Sequence, residues 1–166
     1  MKYITLTRGY SAIVDDDDYE RLNAVNWYFH QGVSSRAAVR SVYEGHGKTR
    51  KVRRVLMHRE ILLAKPGELV DHKNGDQLDN RKKNLRICSF LQNIWNRKKR
   101  RDSTGSKFIG VSWSPYRSRW VCRITVNGKT RVLGLFKDEA EAARCYDQEV
   151  KKQRGEFAYL NFPKAA

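Results

Sequence analysis

Asp71 and His72 stand side by side, Asn84 follows the histidine by twelve residues, and Asn93 comes nine residues later. These residue types suit hydrolysis of a phosphodiester. A carboxylate and an amide carbonyl are hard oxygen ligands for one divalent ion, Mg²⁺ or Mn²⁺. An imidazole that titrates near neutrality can take a proton from water. Phosphodiester cleavage needs both parts: a metal for the leaving oxygen and the charge at phosphorus, and a base to make the nucleophile. The spacing by itself leaves a second reading open. Asp71-His72-Lys73-Asn74-Gly75 is also the composition of a polar turn, and asparagines commonly cap loops.

The elements that must position these residues can be read around them. Glu68 to Asp76 reads as a short strand running into a tight turn at Asn74-Gly75. Leu85-Arg86-Ile87-Cys88 reads as a second strand, and Ser89 as the N-cap of a helix over 90–99. Asp71 then ends the first strand, Asn84 precedes the second, and Asn93 lies on the helix. Upstream, residues 1–55 read as β-rich, with strand candidates at Ile4-Thr5-Leu6, Ala12-Ile13-Val14, Trp27-Tyr28-Phe29 and Ala37-Ala38-Val39, and a further strand over 52–57. A short helix is expected near Asp18, with aspartates at its positive end, and another over 57–63, stopped by Pro66-Gly67. The last sixty residues read as strands over 108–113, 120–125 and 129–136, with a hairpin at Asn127-Gly128 and a helix opened by Asp138-Glu139-Ala140-Glu141. A three-residue hairpin loop is preferred here. It pairs Thr125 with Lys129 and Arg123 with Arg131, gathers those four on one face, and puts Trp120, Cys122, Ile124, Thr130 and Val132 on the other, which keeps charge out of the core. The expected fold class is α+β, ending in a three-stranded antiparallel sheet packed on one helix.

The chain has 166 residues, with 34 Lys or Arg against 18 Asp or Glu, a net charge of +16. With a pI near 10.0, it should attract polyanions. Acidic residues gather early, from Asp15 to Asp18 and at Glu20, whereas nine Lys or Arg and no Asp or Glu lie between residues 81 and 101. Arg97, Lys98, Lys99, Arg100 and Arg101 run into Asp102-Ser103-Thr104-Gly105-Ser106, the pattern of a basic linker over 99–106. No apolar run approaches the length of a membrane span, and the N-terminus lacks a signal-peptide core, so a cytoplasmic protein is expected. No basic amphipathic helix suggests a membrane partner. Cys88, Cys122 and Cys145 form no CxxC pair and read as thiols in a reducing compartment.

The stretch Leu69-Val70-Asp71-His72-Lys73-Asn74-Gly75-Asp76-Gln77-Leu78-Asp79-Asn80-Arg81, followed by Asn84-Leu85-Arg86-Ile87 and Gln92-Asn93, resembles the HNH endonuclease motif of phage and intron-encoded homing endonucleases. The resemblance implies a ββα-metal core with one divalent ion over residues 56–98. It implies that Asp71 and Asn93 bind the metal, that His72 is the general base, and that Asn84 orients the loop and that histidine. The implied product ends are a 3′-hydroxyl and a 5′-phosphate. Asn93, where other members carry histidine, favours Mg²⁺ or Mn²⁺ over zinc. Asn96 reads as a DNA contact or cap, His58 as structural, and His30 and His46 carry no signal.

A second resemblance covers residues 107–163. Gly110-Val111-Ser112-Trp113, Trp120, Leu133-Gly134-Leu135-Phe136, Ala142-Ala143, Tyr146-Asp147 and Leu160-Asn161-Phe162 look like an AP2/ERF DNA-binding domain, which reads double-stranded DNA with its sheet. Carried over, the contacts are Ser112, Ser114, Tyr116, Arg123, Thr125, Arg131 and Leu133. Arg119, Lys129 and the basic stretch from residue 97 to 101 complete the expected DNA-contacting set. Ile109, Ser112 and Ser114 stand where the plant pattern has Arg, and Leu133 where it has Trp, so the plant target does not transfer. Together the resemblances imply a phage endonuclease acting in a bacterial cytoplasm, a monomer or weak dimer that nicks one strand per active site and needs no small-molecule cofactor. The alternative is a non-catalytic DNA-binding transcriptional regulator. An RNA-binding module is disfavoured by the lack of its aromatic or GXXG motifs. Arg36, Arg40, Arg50, Lys51, Arg53 and Arg54 leave open a DNA-binding role for residues 1–55.

Overall fold

A computed structural model describes residues 1–33, 35–45, 50–96, 105–126 and 128–163. His46 and the basic stretch Arg97, Lys98, Lys99, Arg100 and Arg101 lie outside the described residues, as does Asn127. The fold mixes helices with several antiparallel sheets, and the chain divides into two compact units, residues 1–93 and 94–166. No helix among the described residues is long and apolar enough to cross a membrane.

In the N-terminal unit, β1 (Lys2–Thr5) pairs antiparallel with β2 (Ser11–Val14). Helix α1 (Asp16–Asn23) follows, with Asp16, Asp17 and Asp18 in its first turn, where the helix dipole favours negative charge. Strands β3 (Tyr28–Gln31), β4 (Arg36–Glu44) and β5 (Lys51–Leu56) form an antiparallel sheet in that order. Helix α2 (Met57–Ile61) is shorter than the expected 57–63. Leu63 takes a left-handed φ of 49°, which ends the helix before Pro66 can. Strands β6 (Leu69–His72) and β7 (Leu85–Cys88) pair antiparallel, with Asp71 opposite Arg86 and His72 opposite Leu85. Helix α3 (Phe90–Trp95) opens on a reciprocal capping box. The Gln92 N–H donates to Ser89 Oγ at 3.2 Å, and the Ser89 N–H donates to Gln92 Oε1 at 2.8 Å.

One core joins β1, β2, α1, β3, β4, α2 and β7 through Ile4, Leu6, Ala12, Val14, Leu22, Trp27, Phe29, Ala38, Met57, Ile61 and Leu85. Residues on both sides of position 55 therefore share a single hydrophobic interior. Burying such side chains contributes about 1.5–3 kcal/mol each before chain entropy is counted.

In the C-terminal unit, β8 (Val111–Ser114), β9 (Arg119–Val126) and β10 (Lys129–Phe136) form an antiparallel sheet with β9 in the centre. Helix α4 (Glu139–Arg154) opens with Asp138 Oδ1 accepting from the Glu141 N–H at 2.8 Å. Val111, Cys122, Ile124, Ala142, Ala143, Tyr146 and Val150 form the core between sheet and helix. Gly110 allows the Tyr146 ring to approach the sheet. At its φ of 74° a Cβ would lie 2.0 Å from that ring.

The hairpin register differs from the expected one. Val126 pairs with Lys129, Thr130 with Thr125, Arg131 with Ile124 and Val132 with Arg123, so the loop is the two residues Asn127 and Gly128. Asn-Gly suits such a loop because both central positions need positive φ, and Gly128 has φ of 75°. Turn chemistry outweighs the wish to keep charge off the helix side. Leu133 follows Arg131 by two and packs against the core, and the register shift between Val132 and Gly134 then returns Phe136 to that same side.

Candidate functional site

The connection from β6 to β7, residues 73–84, is built almost wholly from polar side chains satisfied by one another. Asn74 and Gly75 make the expected tight turn: the Gly75 N–H donates to His72 O at 2.9 Å, and the Asp76 N–H to Asn74 Oδ1 at 2.8 Å. Asn84 is buried and ties the two ends of the loop. Its Oδ1 accepts from the Asn74 N–H at 3.0 Å, its Nδ2 donates to Asp79 O at 2.7 Å, and its carbonyl accepts from the Lys73 N–H at 2.9 Å. Asp79 is held by Arg81 Nε and Nη2 at 2.7 and 2.6 Å and by Asn74 Nδ2 at 2.9 Å. The Arg81 contact leads in holding the Asp79 carboxyl below its ordinary range.

Consecutive residues of a strand point to opposite faces. Asp71 leaves β6 on the face of Arg86, whose Nε and Nη2 donate to Asp71 Oδ2 at 3.0 and 2.7 Å, with both residues buried. His72 leaves on the face of Leu85 and is also buried. Its Nε2 lies 3.3 Å from Asn80 Oδ1. Burial lowers the His72 pKa, against the opposing pull of Asn80, Asp71, Asp76 and Asp79. The ring is therefore neutral at pH 7, as a general base must be. Asn93 rides half-buried on α3.

Two residues join this site that the sequence reading left out of it. His58 on α2, read as structural, sets its ring edge-on to His72, with centroids 5.1 Å apart and planes at 83°. Burial, then the neighbouring His72 and Arg59, push its pKa down to about 3. Asn80, quoted only as part of the motif, is almost completely buried against His72. A buried asparagine inside a polar loop has no periodicity to betray it. The lone histidine ahead of an apolar run was the one available signal for His58.

On the C-terminal sheet, the face away from α4 carries Ser112, Arg123, Thr125, Thr130 and Val132. Arg123 Nη1 donates to Ser112 Oγ at 2.6 Å, and the hydroxyls of Thr125 and Thr130 lie 2.8 Å apart. Ser114 and Arg119 pair at the end of β8 and β9, and Tyr116 is fully exposed in the turn between them. Lys129 and Arg131, expected beside Arg123, lie instead on the helix side, because the two-residue loop shifts β10 by one position. Arg131 pairs with Glu149 of α4. Thr130 and Val132, expected on the helix side, take their place on the open face. Leu133, expected as a contact, packs against the core. Asn161 and Asp147, quoted for the resemblance, clamp the C-terminal segment to the sheet. Asn161 Oδ1 accepts from the Ile109 N–H at 2.7 Å, and Asp147 accepts from the N–H groups of Asn161 and Phe162 at 2.9 and 2.8 Å.

Exposed cations also collect on the outer half of the β4–β5 hairpin. Arg50, Lys51 and Arg54 form no ion pair among the described residues, and Arg50 lies over the Tyr43 ring at 3.9 Å. By contrast, Arg40, Arg53, Arg81 and Arg86 are paired with Glu60, Glu44, Asp79 and Asp71.

No protein-family model matches the chain. Protein 3.8 of Escherichia phage T7 is 36% identical to it over 92 residues, a stretch that covers 55% of this chain and 74% of that protein. At that identity and coverage, the chain belongs to the family of phage T7 Protein 3.8.

Proposed function

We propose that this protein is a divalent-metal-dependent DNA endonuclease of the HNH type, with a C-terminal DNA-reading unit similar to AP2/ERF domains. The observation that carries the reading is the β6–loop–β7–α3 unit. Its strand end presents a buried carboxylate and a buried neutral imidazole on consecutive residues, and its loop is bound together by Asn84.

In-line displacement at phosphorus puts the attacking water and the leaving oxygen on opposite sides. In this reading His72 serves the side of the attacking water, and Asp71, through the ion it would hold, the side of the leaving oxygen. His72 takes a proton from water, and the water oxygen bonds to phosphorus. The P–O3′ bond breaks with its electron pair going to O3′, which takes a proton from solvent. Asp71 and Asn93 are the residues that would hold the ion. A carboxylate with an amide oxygen fits a hard divalent cation. Among the described residues no cluster of three His, Cys, Asp or Glu gathers, so further ligands would come from DNA oxygens and water. When bound, such an ion supplies charge stabilisation at the leaving oxygen. Arg86 orients Asp71 from the opposite strand.

The partner is double-stranded DNA. The net charge of +16, the open sheet face with Arg123, and the cations of the β4–β5 hairpin that form no ion pair among the described residues all favour a polyanion. One chain offers one Asp71–His72 pair, so a monomer nicks one strand. The test is supercoiled plasmid with Mg²⁺, Mn²⁺ or EDTA. Metal-dependent conversion to open circle is expected, and His72→Ala should slow it by about 10²–10⁴-fold with DNA affinity retained. A gel shift without cleavage in either metal, on DNA that carries the phage's own sequence, would instead make the protein a DNA-binding regulator.

A further inference from the structure

We propose that Asn80 is a positioning residue for His72: its amide oxygen holds the ring with the proton on Nε2, so that Nδ1 carries the lone pair that accepts the proton from water. The inference rests on the endonuclease reading for its catalytic consequence, but its structural part stands on hydrogen-bond geometry.

A neutral imidazole has one N–H and one lone pair, and the group facing each nitrogen decides which is which. Asn80 Oδ1 lies 3.3 Å from His72 Nε2, with both side chains buried. The orientation of the Asn80 amide follows from its other end. Nδ2 donates to Leu78 O at 3.2 Å. Turning the amide over would set its oxygen against the Leu78 carbonyl, two acceptors with no proton between them. Oδ1 therefore faces the histidine, and an amide oxygen only accepts. Nε2 must donate.

Asn80 can impose this because its own place is over-determined. Its backbone N–H donates to Ile13 O at 2.8 Å, and the Ile13 N–H donates to Leu78 O at 2.8 Å. Ile13 and Asp79 thus form a parallel bridge that sews the loop to β2. On the far side, Asn84 Nδ2 holds Asp79 O at 2.7 Å, and the Gln77 side chain accepts from the Arg36 N–H of β4. The His58 ring closes on His72 edge-on. The N-terminal hairpin is in this sense part of the site: β2 fixes the loop, the loop fixes Asn80, and Asn80 fixes the nitrogen that acts.

Long-range ¹H–¹⁵N spectra of the full-length protein test this directly, with His72 assigned by loss of its signals in His72→Gln. The wild type should show His72 protonated at Nε2 and unprotonated at Nδ1. Asn80→Ala should convert this to a mixture of tautomers. Asn80→Asp keeps an acceptor facing Nε2 while its second oxygen meets the Leu78 carbonyl, so Nε2–H should persist there, in the neutral ring or in an imidazolium paired with the carboxylate. In the nicking assay, Asn80→Ala should lower kcat by about tenfold or more with KM unchanged, the pattern of lost orientation at the reacting group, and Asn80→Asp should recover part of it. A wild-type His72 protonated at Nδ1 would overturn the proposal even if neither variant folds. So would an Asn80→Ala protein that keeps one Nε2–H tautomer. If the tautomers behave as expected but the wild type nicks no DNA in either metal, the positioning role stands and the endonuclease reading falls.

Discussion

At the scale of single residues, the site is defined by side chains that burial keeps neutral or paired. His58 and His72 are both held unprotonated, His58 at a pKa of about 3, first by burial and then by its neighbours His72 and Arg59. In the unfolded chain each histidine takes up a proton near pH 6.5. The unfolded state then binds more protons than the folded one, so stability is full above about pH 6.5 and falls as the pH drops. For His58 the slope approaches about 1.4 kcal/mol per pH unit. Asp79, held low chiefly by Arg81, and Asp18, where Lys82 and Arg21 outweigh burial, add their losses only in the carboxylate range. Thermal melting followed from pH 7.5 to pH 4.5 should stay level down to about pH 6.5 and then decline steadily. His58→Gln should flatten it between pH 6.5 and pH 4.5. A variant with the slope of the wild type would show that His58 is protonated in the folded state. The pairing of Asp71 with Arg86 has a different lesson. Removing either partner strands a buried charge, at a cost of about 3–5 kcal/mol, so activity lost by Asp71→Ala must be measured where that variant is still folded.

At the scale of elements, a one-residue choice in a turn decides which cations stand on the open face of the sheet. The Asn127-Gly128 loop sets β10 so that Arg123 stands on the open face and Arg131 on the helix side beside Glu149. Arg123→Ala should therefore weaken DNA binding by about 1–3 kcal/mol and relax sequence preference. Arg131→Ala loses an exposed ion pair worth about 0–1 kcal/mol of stability and should leave DNA affinity nearly as it was. Titration of labelled duplex by both variants separates the two. Equal losses of affinity would mean that the helix side also meets DNA. The acidic cluster shows the same economy in the N-terminal unit. Asp15 Oδ2 accepts from the Lys82 N–H at 2.7 Å, and Asp18 pairs with the Lys82 ammonium at 2.8 Å. The aspartates that suit the dipole of α1 also anchor the end of the loop that carries Asn80.

At the scale of the whole molecule, two cores mean two separable stabilities. Gly110 serves only the C-terminal one, where any Cβ meets the Tyr146 ring and a left-handed φ. Gly110→Ala should cost at least about 2 kcal/mol. Native-state amide exchange should place that loss in β8, β9, β10 and α4, with protection in β1 through β7 retained. Loss of protection spread evenly over both units would show that they unfold as one.

The β-rich start, the strand–loop–strand–helix order around Asp71 and His72, the cap of α4 and the small alanines under its sheet were all legible in the chain. Each depends on contacts a few residues apart, where alternation, turn residues and caps act directly on the backbone. The basic balance was legible too, because charge is additive along a chain. What only tertiary structure decided involves partners far apart in sequence. His58 meets His72 across fourteen residues, and Asn80 receives its place from Ile13, sixty-seven residues away. The face of Arg131 was missed for a subtler reason. Two local rules disagreed, and the preference of Asn-Gly for a tight loop prevailed because a bulge at Leu133 could restore the core and Glu149 could receive the displaced charge. Local pattern names the residues that can do chemistry, but which nitrogen of His72 faces Asn80 and which arginine faces outward depend on neighbours that only the folded chain brings near.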